Sequence, residues 1–598
     1  MNSKELRQKF LEFFEKRGHK VVPSSSLLPT DPSVLFTTAG MQQFKEYYLG
    51  KSSPFGNKVA SCQKCFRTSD IDEVGDESHL TFIEMLGNFS FAASEGGEGY
   101  FKEEAIKFAY DLLISNFRLP ISKMIVTIFG GDSGLPRDEE SVRIWEKFGF
   151  SEKKGNLRSA GRADNFWGPT GEEGPCGPTT EIHFGGTELW NLVFNEYYQD
   201  RNGKLTPLKQ KGVDTGMGLE RLAMVCQGKS SVYETDLFEP VISEIKKMMK
   251  VKEIKEPSSF DRLYNPPIAF ETDKERAFQE LKYSRDLRII ADHIKSAVFL
   301  ISEGIFPSNV ERGYVLRRII RRAIRYGKLL NLPKNFLIPL AQKVIEIYKD
   351  IYPEVRSGET DILTIIQKEG EKFEKTLNQG LKQFEKVSAK NEISGEEAFH
   401  LFDTYGFPLE LTQELAKERD IKVDIKGFQE AFQKHREISR AGAEKKFGGI
   451  GKEAGREAVK LHTATHLLHA ALRKVLGNHL RQMGSDITPQ RLRFDFSHSQ
   501  KMTEPELKKV EALVNQRIKE NLEVKKEEMS YEEAIKSGAL AFFKEKYPQK
   551  VTVYTIGDFS KEICAGPHIK KTAELGSFKI IKEESSGAGI RRIRAILK

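Results

Sequence analysis

Residues 214–221 read DTGMGLER, and this stretch decides how the N-terminal part of the chain is interpreted. Its two glycines permit a tight turn, and Gly-Leu-Glu-Arg is typical of the start of a helix. Two earlier pieces belong with it: Arg67 before an acidic loop, and residues 80–91 (LTFIEMLGNFSF), a strand followed by a glycine turn. Each piece alone is ordinary, because a single arginine is usually solvated and a GxG turn is usually only a turn.

Short β-like runs separated by glycine-rich turns surround this stretch up to about residue 232. The runs are 34–38, 80–85, 124–129 and 189–194, and residues 168–178 are typical of a loop. Because α/β alternation is weak, the pattern favours an antiparallel sheet with flanking helices. Helical periodicity then dominates to about residue 440, at 286–302, 313–330, 337–348 and 361–390.

The chain of 598 residues is long enough for about four domains at roughly 150 residues each. We predict an α+β multidomain protein. Its segments are an antiparallel-sheet domain at 1–240, a helical domain at 241–440, a Gly/Lys-rich linker at 441–456 (AGAEKKFGGIGKEAG spans most of it) and an α+β domain at 457–598.

Composition excludes several classes of protein. No apolar run approaches the ~18 residues of a membrane span, and residues 1–18 are typical of a charged amphipathic helix and not of a signal peptide. Five cysteines argue against a disulfide framework and favour a reducing, cytoplasmic compartment. The net charge of +8 is modest, so any nucleic-acid binding must come from local clustering of charge.

Two pairs of potential metal ligands stand out near the C-terminus. His462 and His466 are four positions apart in a helical pattern, and Cys564 and His568 are again four apart in CAGPH. A helical HxxxH pair alone is weak evidence, but three nitrogens and one sulfur make a plausible tetrahedral zinc site. His469 lies outside the pattern and is interpreted as a bystander. The CxxC at Cys62 and Cys65 has no second pair nearby, so it is interpreted as structural or surface thiols.

A helix rich in arginine follows residue 311. Residues 312–322 read RGYVLRRIIRR, and no acidic residue falls between Arg312 and Tyr326 to neutralise the charge within the helix. A merely solvated face would usually mix signs of charge. We therefore expect phosphate contacts from the arginines of this helix. They are Arg312, Arg317, Arg318, Arg321, Arg322 and Arg325.

The pieces around residues 67–91 and 214–221 together resemble the second and third signature motifs of class II aminoacyl-tRNA synthetases. The longer strings resemble the alanyl-tRNA synthetase family, from about residue 5 to residue 597. These strings are LFTTAGMQQF at 35–44, EMLGNFSF at 84–91, DNFW at 164–167, GPCGP at 174–178, RGYVLRRIIRR at 312–322 and LFDTYGFP at 401–408. Such a set of ordered strings is highly specific.

The resemblance implies a class II catalytic domain that activates alanine with ATP and Mg²⁺ and transfers it to tRNA(Ala). Arg67 would bind the α-phosphate and Arg221 the far end of ATP, since a guanidinium binds phosphate bidentately and stays charged. Asp214 would hold the ammonium group of alanine. The remaining substrate-pocket residues implied by the family are Met41, Trp167, Asn191 and Gly216, with Met41 and Gly216 closing the methyl site.

A small pocket cannot exclude glycine, and it discriminates against serine by only ~1–3 kcal/mol. This limit predicts a second, corrective site, and the family's editing domain carries the two metal-ligand pairs, His462 with His466 and Cys564 with His568. The resemblance further implies one zinc ion per chain, an editing role for Gln482, and a turn at 587–592 (GAGIRR) facing the tRNA terminus. Whether zinc acts chemically or only positions the substrate stays open.

The resemblance also assigns tRNA recognition to the helical region. Asn309 and Asp403 would read the acceptor-stem G·U pair, although a helix cap and a turn residue are the ordinary alternatives. A small β-barrel usual before the editing domain and the usual C-terminal region have no counterpart here, so we expect a monomer. Two competing hypotheses are a tRNA deacylase with an RNA-binding N-terminal scaffold and a non-catalytic RNA-binding protein.

Overall fold

The computed structural model describes residues 1–31, 33–91, 99–249, 273–435, 455–477, 480–498, 500–541, 550–587 and 590–598. These residues form two compact units, Met1–Glu374 and Lys375–Lys598. The predicted linker lies outside the described residues except for its last two positions. The division at residues 240, 440 and 456 stays a prediction. Among the described helices, none combines the length and the apolar character needed to cross a membrane.

One sheet forms the centre of the first unit. Its strands are β1 Lys20–Val21, β2 Lys58–Phe66, β3 Phe82–Ser90, β4 Met124–Phe129, β5 Leu157–Ala160, β6 Phe166–Trp167, β7 Gly174–Phe184, β8 Thr187–Gln199 and β9 Leu205–Gly218. The order is β1-β2-β3-β9-β8-β7-β4-β5, with β6 paired to β7. Only the β1/β2 and β4/β5 pairs are parallel among these strands, so the predicted antiparallel sheet is confirmed.

Helices pack around this sheet. They are α1 Ser3–Glu15, α2 Lys45–Tyr48, α3 Lys102–Tyr110, α4 Glu139–Lys147, α5 Arg162–Asn165, α6 Leu219–Cys226, α7 Glu239–Met248, α8 Asp273–Ser302, α9 Glu311–Leu329, α10 Leu337–Tyr348, α11 Pro353–Ser357 and α12 Glu359–Val387. The apolar face predicted for the first helix is confirmed, because Leu6, Phe10, Phe13 and Phe14 are all buried. The turn predicted before Arg221 ends β9 and begins α6.

Three sequence predictions about this sheet are wrong. The glycine turn predicted within residues 80–91 does not form, because β3 continues through Gly87 to Ser90. Residues 34–38 form no strand, although Thr37 accepts a backbone hydrogen bond from Phe66 at 2.8 Å. The predicted loop 168–178 becomes a strand from Gly174 onward. Its glycines are needed for close approach: a Cβ atom on Gly177 would lie 1.8 Å from the carbonyl oxygen of Phe194 on the neighbouring strand.

The second unit has an α+β core. Its helices are α13 Gly395–Tyr405, α14 Leu409–Lys417, α15 Arg456–Leu476, α16 Glu504–Lys519 and α17 Tyr531–Lys536. Its strands are β10 Glu392–Ile393, β11 Lys422–Val423, β12 Gln482–Thr488, β13 Arg491–Ser497, β14 Val524–Ser530, β15 Lys550–Ile556, β16 Ser560–Ile563, β17 Phe578–Gly587 and β18 Ile590–Leu597. An antiparallel sheet β12-β13-β18-β17 packs its apolar face against α15, and β16 of a second sheet, β14-β15-β16, contacts the same helix.

Candidate ligand cleft and candidate metal centre

A cavity of about 280 Å³ opens on the sheet of the first unit. Neighbouring strands supply its floor: Asn191 on β8 pairs with Gly216 on β9, and Val193 pairs with Asp214. Since side chains alternate along a strand, residues 214, 216 and 218 share one face, and all three line the cavity. The predicted residues that line it are Arg67, Trp167, Asn191, Asp214, Gly216 and Arg221.

Asp214 is the most unusual group in this cleft. Its side chain is almost completely buried, and in the part of the chain that the structure describes no hydrogen bond or ion pair reaches its carboxylate. Burial raises the pKa of Asp214 to about 7. A carboxylate in such a position favours a cationic ligand group, because that group would supply the missing partner.

Asn191 provides a second unsatisfied polar group. Its amide nitrogen donates to Glu181 Oε1 at 3.2 Å, while its Oδ1 atom is buried and has no partner among the described residues. A ligand N–H or O–H group would satisfy it.

The two predicted arginines reach the cleft from two different elements of the fold. Arg67 follows β2, and its Nε donates to the carbonyl oxygen of Thr38 at 3.3 Å. Arg221 lies in α6, and its Nη1 donates to Glu188 Oε2 at 3.0 Å and to the Glu188 carbonyl oxygen at 3.1 Å. Both side chains are half-buried and retain N–H groups for an anionic ligand. Sequence reasoning missed the acidic residues Glu181 and Glu188 of this cleft.

Met41 is not among the described residues that line the cleft, and its role in closing the methyl site stays a prediction. It is fully buried, and its sulfur accepts a hydrogen bond from Thr170 at 3.5 Å. Met85 lies beside Gly216, because a Cβ atom on Gly216 would be 3.0 Å from its sulfur. Met85 was present in the quoted string EMLGNFSF, but its strand register was needed to find it.

The arginine helix α9 does not present a free basic face. Arg317, Arg321, Arg322 and Arg325 are buried, and Arg318 is largely so. Arg321 donates to Glu369 Oε1 at 2.8 and 2.5 Å, and Arg317 also pairs with Glu369. The prediction of phosphate contacts considered only acids within the helix, whereas Glu369 comes from α12 and neutralises part of the charge. Arg312 is partly exposed and donates to the Leu35 carbonyl oxygen at 2.5 Å.

In the second unit, the four predicted metal ligands come together. His462 and His466 lie on successive turns of α15, and Cys564 and His568 follow β16. One ligand atom from each lies within 4.8 Å of the other three. The Cys564 sulfur is 3.6 Å from His462 Nε2, and the rings of His462 and His568 stack at 4.3 Å.

In each of the three imidazoles, a hydrogen bond at Nδ1 fixes the orientation of the ring. His462 Nδ1 donates to the Pro567 carbonyl oxygen at 3.2 Å, and His466 Nδ1 donates to Glu562. Thr463 gives its hydroxyl proton to Val459, so its oxygen accepts from His568 Nδ1 at 3.1 Å. With every Nδ1 engaged, the Nε2 atoms of His466 and His568 are buried and without hydrogen-bond partners among the described residues. Such orphaned nitrogens fit a metal ion.

The charges of this cluster also suit a metal. Burial opposes ionisation of Cys564, but the three neighbouring imidazoles of His462, His466 and His568 lower its pKa to about 3, which favours the thiolate. Burial lowers the pKa of His568 to about 4. Burial also disfavours charge on His466, but the Glu562 carboxylate raises the pKa of His466 to about 10. One thiolate and three imidazoles is a donor set that Zn²⁺ prefers.

Glu562 was missed by sequence reasoning. It is buried, and it accepts hydrogen bonds from both His466 Nδ1 and His469 Nδ1, the latter at 2.8 Å. His469 is therefore packed beside the four predicted metal ligands, which agrees with its interpretation as a bystander. Its position in the sequence could have indicated this role, because Glu562 lies on β16 only two positions before Cys564.

The other predicted residues occupy varied surroundings. Gln482 begins β12 and donates to Ser485 Oγ at 3.2 Å. Arg592 binds Asp495 through two hydrogen bonds of 2.7 and 2.8 Å, and part of the predicted turn at 587–592 lies outside the described residues. Asn309 is exposed and accepts a hydrogen bond from Arg317, and Asp403 is exposed.

The Cys62 and Cys65 thiols are free and buried, which agrees with a structural role. They lie three positions apart on β2 and so point to opposite faces of the sheet. Burial raises the pKa of Cys65 to about 12 and that of Cys62 further still, so neither is a reactive thiolate.

Sequence comparisons relate this chain to known proteins. The family model described as tRNA synthetases class II (A) matches residues 5–479, and the model described as Threonyl and Alanyl tRNA synthetase second additional domain matches residues 551–594. The alanine–tRNA ligase of Borrelia hermsii (strain HS1 / DAH) is 46% identical, with 100% of each chain covered. The alanine–tRNA ligase of Treponema pallidum (strain Nichols) is 45% identical over 99% of this chain and 98% of that protein.

A relative from a different group of bacteria extends this similarity. The alanine–tRNA ligase of Thermotoga maritima is 40% identical and covers 100% of this chain, which matches 80% of that protein. High identity over the whole chain and the match of its first 479 residues to one family model lead to the same assignment. The chain belongs to the alanine–tRNA ligase family of class II tRNA synthetases.

Proposed function

We propose that this protein activates alanine with ATP, transfers it to the 3′ end of tRNA(Ala), and hydrolyses Ser-tRNA(Ala) and Gly-tRNA(Ala) at a second site. The observation that carries the proposal is the buried Asp214 carboxylate, which lies in one cleft with Arg67 and Arg221. A cation-binding group and two phosphate-binding groups in one cleft are what an amino acid and ATP require.

The activation step follows from these groups. Asp214 binds the ammonium of alanine, so that the carboxylate of alanine is turned toward the nucleotide. A carboxylate oxygen then attacks the α-phosphorus of ATP, forming a C–O–P linkage while the bond to the departing pyrophosphate breaks. Arg67 and Arg221 neutralise the phosphate charge that must be held in line for this displacement.

Magnesium accompanies ATP in such a reaction. Glu181 and Glu188 are carboxylates that line the cleft, and oxygen ligands of this kind would hold Mg²⁺. The ion would supply further neutralisation of the phosphates.

The side-chain pocket explains the need for correction. Gly216 and Met85 leave a narrow space beside Asn191, which suits a methyl group. Serine adds one hydroxyl group, a difference worth only ~1–3 kcal/mol of discrimination, and glycine enters freely because it is smaller. Errors of both kinds would therefore leave the first site.

The second site would remove these errors at one zinc ion per chain. His462, His466, Cys564 and His568 would hold the ion, and their orphaned nitrogens and thiolate support this assignment. Bound zinc would supply a Lewis acid for ester hydrolysis. Glu562 fixes the orientation of His466, and Gln482 is proposed to contact the misplaced amino acid.

Recognition of tRNA(Ala) is assigned to the exposed polar residues Asn309 and Asp403, with Arg312 as a phosphate contact. Their exposure supports this assignment, whereas the burial of Arg317, Arg321 and Arg322 directs them to a structural role. The monomeric state and the cytoplasmic location remain predictions, which sedimentation and cell fractionation can check.

The proposal is tested by charging tRNA(Ala) transcripts with labelled alanine, and by following hydrolysis of preformed Ser-tRNA(Ala). We expect alanine-specific charging and rapid loss of the seryl ester, with the alanyl ester hydrolysed far more slowly. Hydrolysis of Ser-tRNA(Ala) without any charging would instead support a deacylase.

A further inference from the structure

The loop that joins β2 to β3, residues 67–81, forms one wall of the cleft. Arg67, Asp70, Ser78 and His79 of this β2–β3 loop all line the cavity. A loop that must position a phosphate-binding arginine needs external support, because loops otherwise have many accessible conformations. The support comes from the helices α8 and α9, which lie outside the sheet.

The beginning of the β2–β3 loop is held by α9. Arg322 Nη1 donates to the carbonyl oxygen of Ile71 at 2.9 Å, and Arg318 Nη2 donates to Asp72 Oδ1 at 2.6 Å. Arg322 is buried, so this contact is shielded from water and cannot be exchanged for hydration without opening the structure.

The end of the same loop is held by α8. The backbone N–H of Thr81 donates to Asp292 Oδ1 at 2.8 Å, and its hydroxyl donates to Asp292 Oδ2 at 2.6 Å. Asp292 is completely buried. A buried carboxylate that accepts from both donors of one residue fixes that residue in orientation as well as in position.

One buried histidine joins these two contacts. His293 Nδ1 donates to Asp292 Oδ2 at 2.8 Å, and its Nε2 accepts from Arg322 Nη1 at 2.9 Å. The hydrogen-bonded series therefore runs from Thr81 through Asp292, His293 and Arg322 to Ile71. This series links Ile71, in the first part of the β2–β3 loop, to Thr81 at its end. Neither residue can move relative to the other without breaking a buried polar contact.

The middle of the loop is held as well. Arg288 Nη1 donates to the carbonyl oxygen of Gly75 at 3.2 Å and to Glu77 Oε1 at 3.0 Å. Gly75 has a φ of +131°, and a Cβ atom there would lie 2.6 Å from Arg285 Cγ. The helix packs so closely on the loop that only glycine fits at this position.

We infer that Arg288, Asp292, His293 and Arg322 are positioning residues for ATP, which hold the β2–β3 loop in the conformation that forms the nucleotide side of the cleft. This inference rests on the proposed function for the identity of the ligand. It also explains why α9 keeps several arginines buried: those at 318 and 322 bind the β2–β3 loop.

The test compares two neighbouring arginines of α9. Arg322→Lys removes the guanidinium that binds Ile71 and His293, while Arg321→Lys changes an equally buried arginine that binds Glu369. In alanine-dependent ATP–pyrophosphate exchange without tRNA, we expect Arg322→Lys to raise the KM for ATP about tenfold. The KM for alanine should change less than twofold, and Arg321→Lys should change neither constant by more than twofold.

A second readout is independent of activity. Hydrogen–deuterium exchange should show faster exchange of the 67–81 peptide in Arg322→Lys than in Arg321→Lys, at equal thermal stability. If Arg322→Lys does not fold, Thr81→Val removes only the hydroxyl that donates to Asp292, and a smaller rise in the KM for ATP is expected.

Equal KM values for ATP and equal exchange of the 67–81 peptide in the two arginine variants would overturn the inference. Absence of alanine-dependent ATP–pyrophosphate exchange in the unmodified protein would contradict the proposed function instead. In that case the deuterium exchange of the loop still decides whether α8 and α9 hold it.

Discussion

The cleft of the first unit and the candidate metal centre of the second are assembled in opposite ways. The cleft takes Arg67, Asn191, Asp214 and Arg221 from elements spread over more than a hundred residues, and strand register brings them together. The metal centre takes its ligands from two short segments with a spacing of four. In both places, buried polar atoms that have no protein partner among the described residues indicate the kind of ligand that would fit the site.

The kind of unsatisfied atom distinguishes the two ligands. A buried carboxylate at Asp214 calls for a cation or a hydrogen-bond donor, whereas the Nε2 atoms of His466 and His568, which have no hydrogen-bond partner among the described residues, lie beside the Cys564 sulfur and call for a soft metal. The comparison therefore predicts that substitutions in one site leave the chemistry of the other unchanged.

The largest effect is expected from Asp214→Asn, which keeps the shape of the side chain and removes its charge. Loss of a buried partner for the alanine ammonium should cost about 3–5 kcal/mol, or at least about 100-fold in kcat/KM for alanine. Pyrophosphate exchange measures this loss, and hydrolysis of Ser-tRNA(Ala) serves as the internal control. Loss of both activities would show that the two sites are not independent.

Removal of one metal ligand should have the converse effect. Cys564→Ser replaces the thiolate, so bound zinc measured by mass spectrometry of the native protein should fall well below one ion per chain. Ser-tRNA(Ala) hydrolysis should fall about 100-fold while alanine activation is kept. Cys226→Ser is the matched control because Cys226 lies in the first unit. Unchanged zinc content in Cys564→Ser would contradict the ligand assignment.

A smaller effect is expected from the carboxylate behind the metal ligands. Glu562→Gln keeps one oxygen acceptor but loses the charge that orients His466, so zinc affinity in a chelator competition should fall about 10–100-fold. Glu528→Gln, at an exposed position of the same unit, should leave the affinity unchanged. Equal zinc affinities of Glu562→Gln and Glu528→Gln in the chelator competition would contradict the role of Glu562 in orienting His466.

The smallest effect concerns the methyl pocket of the cleft. Gly216→Ala places a methyl group 3.0 Å from the Met85 sulfur and should lower kcat/KM for alanine about tenfold, with a smaller loss for glycine. Gly161→Ala is the control, because Gly161 does not line the cavity and a Cβ atom there would meet no described atom within 4 Å. An unaltered ratio of alanine to glycine activation would show that Gly216 does not form the wall of the methyl pocket.

Sequence reasoning went furthest where the information was local. The antiparallel sheet, the apolar face of α1 and the two ligand pairs follow from periodicity and short spacing, and the structure brings all four ligands together. The cleft residues depended on resemblance to a known family, since no local pattern links Arg67 to Asp214.

The failures share one physical cause, which is contact between distant segments. The neutralising partner of Arg317 and Arg321 is Glu369, and nothing in the sequence of α9 indicates it. Met85 lies beside Gly216 and was missed, because the register of β3 on β9 brings it to the cleft and the string that contains it does not reveal that register. Gly177 was assigned to a loop because the close approach of Phe194 is visible only once the strands are paired.

The most direct test of the central claim is ATP–pyrophosphate exchange against all twenty amino acids without tRNA, because it isolates the cleft of the first unit. We expect strong exchange with alanine and weaker exchange with serine and glycine. Such a ranking would agree with a cleft that Asp214 and Gly216 fit to alanine. Exchange with no amino acid, or strongest exchange with a large one, would contradict this account.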